Sequence, residues 1–135
     1  MTPPEHITFL SPATLNPPFG FSHVVTVTGG KTIYLAGQVA LDASGQLVGR
    51  GDVQAQARQI FENIKAALAA VGADFSHVVK LNFYLLDRSN LPLLREVRDQ
   101  YINTQSPPAS TLVEVRNLAL EGLLLEIEAI ASLPA

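Results

Sequence analysis

The sequence predicts an α+β domain in which two helices lie against one face of a β-sheet. Three observations predict it. Runs rich in β-branched and aromatic residues recur along the chain, two stretches repeat apolar residues at steps of three and four, and together they read β-β-β-α-β-α-β-β. Two helices cover only one face of such a sheet, so the second face needs another cover.

The first segment is punctuated by Pro3, Pro4, Pro12, Pro17 and Pro18, which leaves room for a short strand around Ile7–Phe9. His23–Thr28 and Lys31–Ala36 flank Gly29-Gly30 and read as an antiparallel hairpin, because both glycines accept the positive φ of a tight turn. Asp42-Ala43-Ser44-Gly45 marks a second turn. Asp52 is placed to cap a helix over 53–71, whose stripe is Val53, Ala57, Ile60, Phe61, Ile64, Leu68 and Val71, with Gly72 as its stop.

Val78–Leu86 reads as a strand with Val79, Leu81, Phe83 and Leu85 on its apolar face and Lys80, Asn82 and Tyr84 opposite. Asn90 is placed to cap a second helix with Pro92 in its first turn and Leu93, Leu94, Val97 and Tyr101 on its buried side. After the Ser106-Pro107-Pro108 break come strands at Thr111–Arg116 and Leu123–Ala131. Alternation then gathers Lys80, Asn82, Tyr84, Glu114, Arg116, Glu126 and Glu128 on the face away from the helices. That face is too polar for a core and too apolar at its margins for water. Packing against sister copies, with polar pockets between them, resolves the conflict.

Composition narrows the function classes. The 135 residues match one ordinary domain over 1–135, and 47% apolar against 16% charged residues supply a core with some excess for a subunit interface. A net charge of -3 with scattered Lys and Arg argues against a nucleic-acid partner and against polybasic membrane docking. No cysteine is present, so there is no thiolate nucleophile and no zinc–thiolate site. His6, His23 and His77 are dispersed too widely to propose a metal centre. The opening residues lack the basic and apolar regions of a signal peptide, and no apolar run is long enough to span a bilayer, which makes the cytoplasm the expected compartment.

Several segments resemble the YjgF/RidA family. Tyr34-Leu35-Ala36-Gly37-Gln38-Val39-Ala40-Leu41-Asp42, continuing through Ser44–Gly49, is similar to that family's sheet-and-turn signature. Gln54–Lys65 resembles its first helix, Val113-Glu114-Val115 and Glu126–Ala131 its last two strands, and Pro12, Gly20 and Ser22-His23 its N-terminal loop. The resemblance covers nearly the whole chain in the right order. It implies a chorismate-mutase-like fold, a homotrimer, and equivalent clefts at the subunit interfaces that take a small-molecule ligand without a cofactor. The best-understood members hydrolyse reactive enamines and imines to keto acids and ammonia.

In those members an arginine within a Pro-Ala-Arg segment grips the substrate carboxylate, a role suited to its planar fork. Here the segment reads Pro108-Ala109-Ser110, so Ser110 stands at the arginine's place, and Phe21 stands where a loop tyrosine would be. Losing that fork removes about 2–4 kcal/mol of anchoring for a carboxylate, which puts the standard 2-aminoacrylate deaminase activity in doubt. The resemblance assigns Glu126 to the catalytic position, as an acid, base or orienter of water, and Ser110, Phe21, Gly37 and Gln38 to the substrate; Tyr84, with Phe19 and Phe21, is expected to add an apolar lining that suits a larger or less charged ligand.

Glu126 and Glu128 share a strand face and are equally a solvated pair of carboxylates. Ser22 and His23 are adjacent in a strand, so their side chains point apart and make no dyad. Gly29-Gly30 lacks the lysine and following helix of a phosphate loop. Two functions compete: a hydrolase for an enamine, imine or related carbonyl compound, and a trimeric module that binds a small metabolite without chemistry. An RNA-cleaving activity, also attributed to the family, suits an acidic chain poorly.

Overall fold

The computed structural model describes residues 1–135. Its elements are β1 (Ile7–Leu10), β2 (Val24–Val27), β3 (Lys31–Gln38), α1 (Val53–Ala69), β4 (Val78–Leu85), α2 (Leu91–Arg98), β5 (Ala109–Glu114) and β6 (Leu125–Leu133). The expected order is therefore present. Short 3₁₀ turns at Phe75–His77 and Arg88–Asn90 lead into β4 and α2.

The main sheet runs β3-β6-β4-β5, and α2 carries the crossover between the parallel neighbours β4 and β5. β6 pairs antiparallel with β3 on one side and β4 on the other, so the last strand occupies the middle of the sheet. The expected hairpin between residues 23–28 and 31–36 is not formed. Gly29 and Gly30 do turn the chain at φ of 67° and 91°, but β2 pairs with β1 in a separate ribbon while β3 pairs with β6. The nine-residue β6 offers β3 a longer ladder than the four-residue β2 can.

Helix α1 begins where Asp52 Oδ1 accepts the Ala55 amide at 3.1 Å. It ends as Ala73 N donates back to Leu68 O at 2.9 Å across Gly72, whose φ of 79° only glycine adopts without strain. The stripe is buried from Val53 to Leu68, but Val71 is 44% exposed because the helix has already ended. The stripe also contains Gln56, which is fully buried. Its amide donates to Gly49 O and Gly122 O at 3.1 and 2.9 Å and accepts from Leu124 N at 2.8 Å, joining three segments.

Asn90 makes no capping bond to α2, because the chain enters from a 3₁₀ turn that Asp87 caps through Ser89 N at 2.9 Å. Leu94, Val97 and Arg98 form the buried edge of α2, and Leu93 lies 40% exposed to one side of it. Tyr101 follows the helix and stacks on Phe61 at 5.1 Å between ring centres, with Phe75 against both.

On the helix side of the sheet Leu81, Phe83 and Leu85 pair with Ala129, Ile127 and Leu125 and pack against α1 and α2 in one core. An irregularity between Val78 and Lys80 makes Val78, not Val79, the buried start of β4. Glu114 also departs from expectation. It pairs with Leu85 on the helix side, where its Oε2 accepts the Arg88 amide at 2.8 Å, and Arg116 lies past the end of β5. Strict alternation misplaced Glu114 because β5 begins at Ala109 and takes its phase from β4. The opposite face of the sheet carries no helix. There Tyr34 is 78% exposed beside Ile130, its partner on β6. No helix is long and apolar enough to cross a membrane.

Candidate functional site

The open face of the sheet is built around β6. Glu126 is opposite Tyr84, and Glu128 is opposite Asn82. The two carboxylates differ in what they do. Glu128 Oε1 accepts the Tyr84 hydroxyl at 2.6 Å and the Asn82 amide at 3.2 Å. That hydrogen bond, with some burial and the charges of Glu128 and Glu126, raises the Tyr84 pKa above its ordinary value, so the phenol keeps its proton. Glu126 makes no hydrogen bond to another side chain or to the backbone. It lies partly buried with its acceptor oxygens uncommitted.

Gly37 makes room for that carboxylate. A methyl group on Gly37 would run into Glu126 Oε2 and come within 2.8 Å of its Cδ. The approach depends on a bulge: Leu35 pairs with Ala129 and Gln38 with Ile127, so β3 spends three residues where β6 spends two. Tyr84, Glu126 and Glu128 line an open cleft of about 300 Å³ closed by Val115, Asn117 and Leu118 beyond β5. Gln38 faces elsewhere. Its amide bonds to Ala36 O at 3.2 Å, and it lines a shallow hollow with Gly37, Leu41 and Asn63. Asn63 holds that turn by donating to Val39 O and Leu41 O at 3.1 and 2.9 Å.

Ser110 and Phe21 lie on the other side. Ser110 pairs with Leu81, whose side chain belongs to the helix-covered core, whereas Glu126 pairs with Tyr84 on the open face. Within one chain the sequence-assigned residues thus form two groups, Glu126, Tyr84 and Gly37 together and Ser110 with Phe21 apart. Ser22 brings the second group together: its amide donates to Pro108 O at 3.1 Å and its hydroxyl to Pro107 O at 2.6 Å, which draws the N-terminal loop onto the start of β5. Phe21 and Ser110 then border a cavity of about 150 Å³ with Phe83 and Leu112 at its base and Leu94 and Arg98 of α2 across from them.

Arg98 was not singled out from the sequence, although its place four residues after Leu94 sets it on the buried stripe. It is 9% exposed, and its Nε donates to Asp99 Oδ1 at 2.9 Å. The three histidines are occupied separately: His6 with Ser132, His23 with Asn16 O and His77 with Asp74. His23 therefore holds the loop and does not join Ser22.

Residues 12–133 match the model of the family described as Endoribonuclease L-PSP. The chain is 43% identical over 111 residues to Protein DfrA of Myxococcus xanthus, covering 82% of this chain and 83% of that protein. It is 40% identical over 122 residues to 2-iminobutanoate/2-iminopropanoate deaminase of Bos taurus, covering 90% and 83%. The solved structure of the conserved Rid family protein YyfB from Yersinia pestis, whose function is described as unknown, superposes with a TM-score of 0.86 at 38% identity over 95% of this chain and 99% of that one. With these matches along nearly its full length, the chain belongs to the YjgF/RidA family, also described as the endoribonuclease L-PSP family.

Proposed function

We propose that the protein is a hydrolase of the RidA type, acting on a small enamine, imine or related carbonyl metabolite in equivalent clefts at the subunit interfaces of a homotrimer. The observation that carries this reading is the uncommitted carboxylate of Glu126, held over Gly37 on the sheet face that no helix covers. A carboxylate in that state orients a water molecule and takes up its proton as the water attacks an electrophilic carbon. Tyr84 and Glu128 bound the same cleft and keep a phenolic hydroxyl beside it. The exposed Tyr34 and Val113 on the open sheet support a homotrimer, since large apolar groups there gain by burial against a sister copy. Similarity to the bovine imine deaminase supports the reaction class.

One observation favours a second reading, a trimer that binds a metabolite without turning it over. Ser110 occupies the strand position at which the family's arginine grips a carboxylate, and its hydroxyl has no base beside it. Ammonia release from freshly generated 2-aminoacrylate decides between them. Catalysis by the native chain that falls by about a hundredfold or more in Glu126→Gln supports the hydrolase. No acceleration by the native chain, together with a gain in Ser110→Arg, establishes the binding module.

A further inference from the structure

We infer that the cleft at Glu126 takes a small organic cation, an iminium or ammonium group on a short apolar body that carries no carboxylate. The inference rests on the reading of that cleft as the reaction site and names the substrate class it selects.

Hydrogen-bond direction is the first argument. Tyr84 gives its one hydroxyl hydrogen to Glu128 Oε1 at 2.6 Å, so in the cleft the phenol oxygen is left only as an acceptor. The raised pKa of Tyr84, caused first by that same bond, keeps the proton where it is. Glu128 Oε2 and both oxygens of Glu126 make no hydrogen bond within the chain, and carboxylate oxygens accept. Among the lining side chains whose hydrogens are not already given away, Asn117 alone brings N–H donors. A ligand for such a wall must supply several hydrogens from one nitrogen. An iminium or ammonium group does so.

Charge is the second argument. Glu126 and Glu128 lie two residues apart on one face of β6, which sets their positions about 7 Å apart. No lysine or arginine lines the cleft. Lys80, on the same face of β4, donates its Nζ to Thr111 Oγ1 of β5 at 2.8 Å. Arg116 falls between the lining residues Val115 and Asn117 but is exposed and not part of the wall. An anion entering here is repelled by both carboxylates, whereas a cation between them is attracted by both. Ser110 agrees with this: a substrate without a carboxylate has no use for the arginine fork that the family resemblance places there.

The rest of the wall selects the body of the ligand. Val115, Leu118 and Ala119 give the cleft an apolar side, which suits an aliphatic or benzyl group. Gly37 fixes where the Glu126 charge stands, since any larger residue there would displace it. For such a substrate the chemistry balances without a redox partner. Water adds to the iminium carbon and gives its proton to Glu126, which returns it to the nitrogen. The C–N bond then breaks with its electron pair on nitrogen, and the hydroxyl proton leaves with the amine. R–CH=NH2+ and H2O thus become R–CHO and NH4+.

Two measurements on the native protein test the inference. A flavin amine oxidase fed benzylamine releases the iminium of benzaldehyde, and the protein should shorten the lag before aldehyde absorbance appears. Its acceleration of that hydrolysis should exceed its effect on 2-aminoacrylate by at least about tenfold. In titration calorimetry, benzylammonium should bind at least about tenfold more tightly than benzyl alcohol, which has a similar shape without the charge. Glu126→Gln should weaken benzylammonium by about tenfold, as should Leu118→Lys, which adds a positive charge from a loop outside the sheet. Charge-selective binding with no turnover of either imine would uphold the ligand class and refute the hydrolase. Acceleration of 2-aminoacrylate alone would do the reverse. Equal affinity for benzylammonium and benzyl alcohol, native ammonium affinity in both variants, or no ammonium binding at millimolar concentration would each overturn the inference.

Discussion

Glu126 rests its carboxylate on the bare backbone of Gly37, across a bulge that lets β3 come close to β6 at this one point. No side chain larger than hydrogen fits under the carboxylate as it stands. Gly37→Ala should therefore push Glu126 out of place without unfolding the sheet. Ammonia release from 2-aminoacrylate, the activity proposed above, should fall by about tenfold or more while the circular dichroism spectrum stays native. A Gly37→Ala protein as active as the native one would mean that the position of Glu126 is irrelevant to the chemistry.

Gln56 satisfies two carbonyls and one amide from loops on either side of α1. Gln56→Leu has similar volume but strands Gly122 O and Leu124 N, while Gly49 O keeps the Asp52 amide at 2.9 Å. Each buried polar group without a partner costs about 1–3 kcal/mol, so a loss of roughly 2 kcal/mol or more is expected in urea unfolding. A shift below about 0.5 kcal/mol would show that water or a rearranged loop replaces the amide.

Tyr101 titrates late. Burial, then its hydrogen bond to Glu62 at 2.7 Å, pushes its pKa up to about 12. Its folded pKa is above the value of about 10 for a free phenol, so its contribution to stability is complete below pH ~10 and disappears as pH rises towards 12. Thermal unfolding followed across that window should show the native protein losing stability more steeply than Tyr101→Phe. Parallel slopes would place the alkaline loss elsewhere.

Tyr34 stands 78% exposed on the open face, on the edge strand β3 and opposite Ile130. Tyr34→Glu would put a charge into any interface built on that face. Sedimentation should change from three times 14.5 kDa for the native protein towards a single chain for the variant. A native protein that sediments as one chain removes the inter-subunit cleft from the argument.

Local chemistry made most of the fold legible. Asp52 before an apolar 3.6-residue stripe, Gly72 after it, and period-two runs at residues 78–86 and 123–131 are short-range signals, and the elements they announced are present. The signals failed where partners decide. The hairpin expected around Gly29-Gly30 was read correctly as a turn, but which strand pairs with which depends on the length of ladder available, and β6 lies nearly a hundred residues further along. Glu114 was assigned to the wrong face because strand phase is set by the neighbour, and Val79 because a bulge adds one residue to the count.

The candidate site divides in the same way. Family likeness in the residues around Gly37, Ser110 and Glu126 identified the positions, and nothing in their spacing could say that Ser110 and Glu126 face opposite sides of one sheet. Spacing places Gln56 and Arg98 on the apolar stripes of α1 and α2, but it does not say that a polar side chain there stays buried, since a long one can reach out to water. By itself, then, the chain's sequence determined its element types, its caps and turns, and its family. Only the tertiary structure decided the strand order, the closeness of Gly37 to Glu126 and the burial of Arg98, because each depends on contacts between segments distant in sequence, whereas propensity and capping act within a few residues.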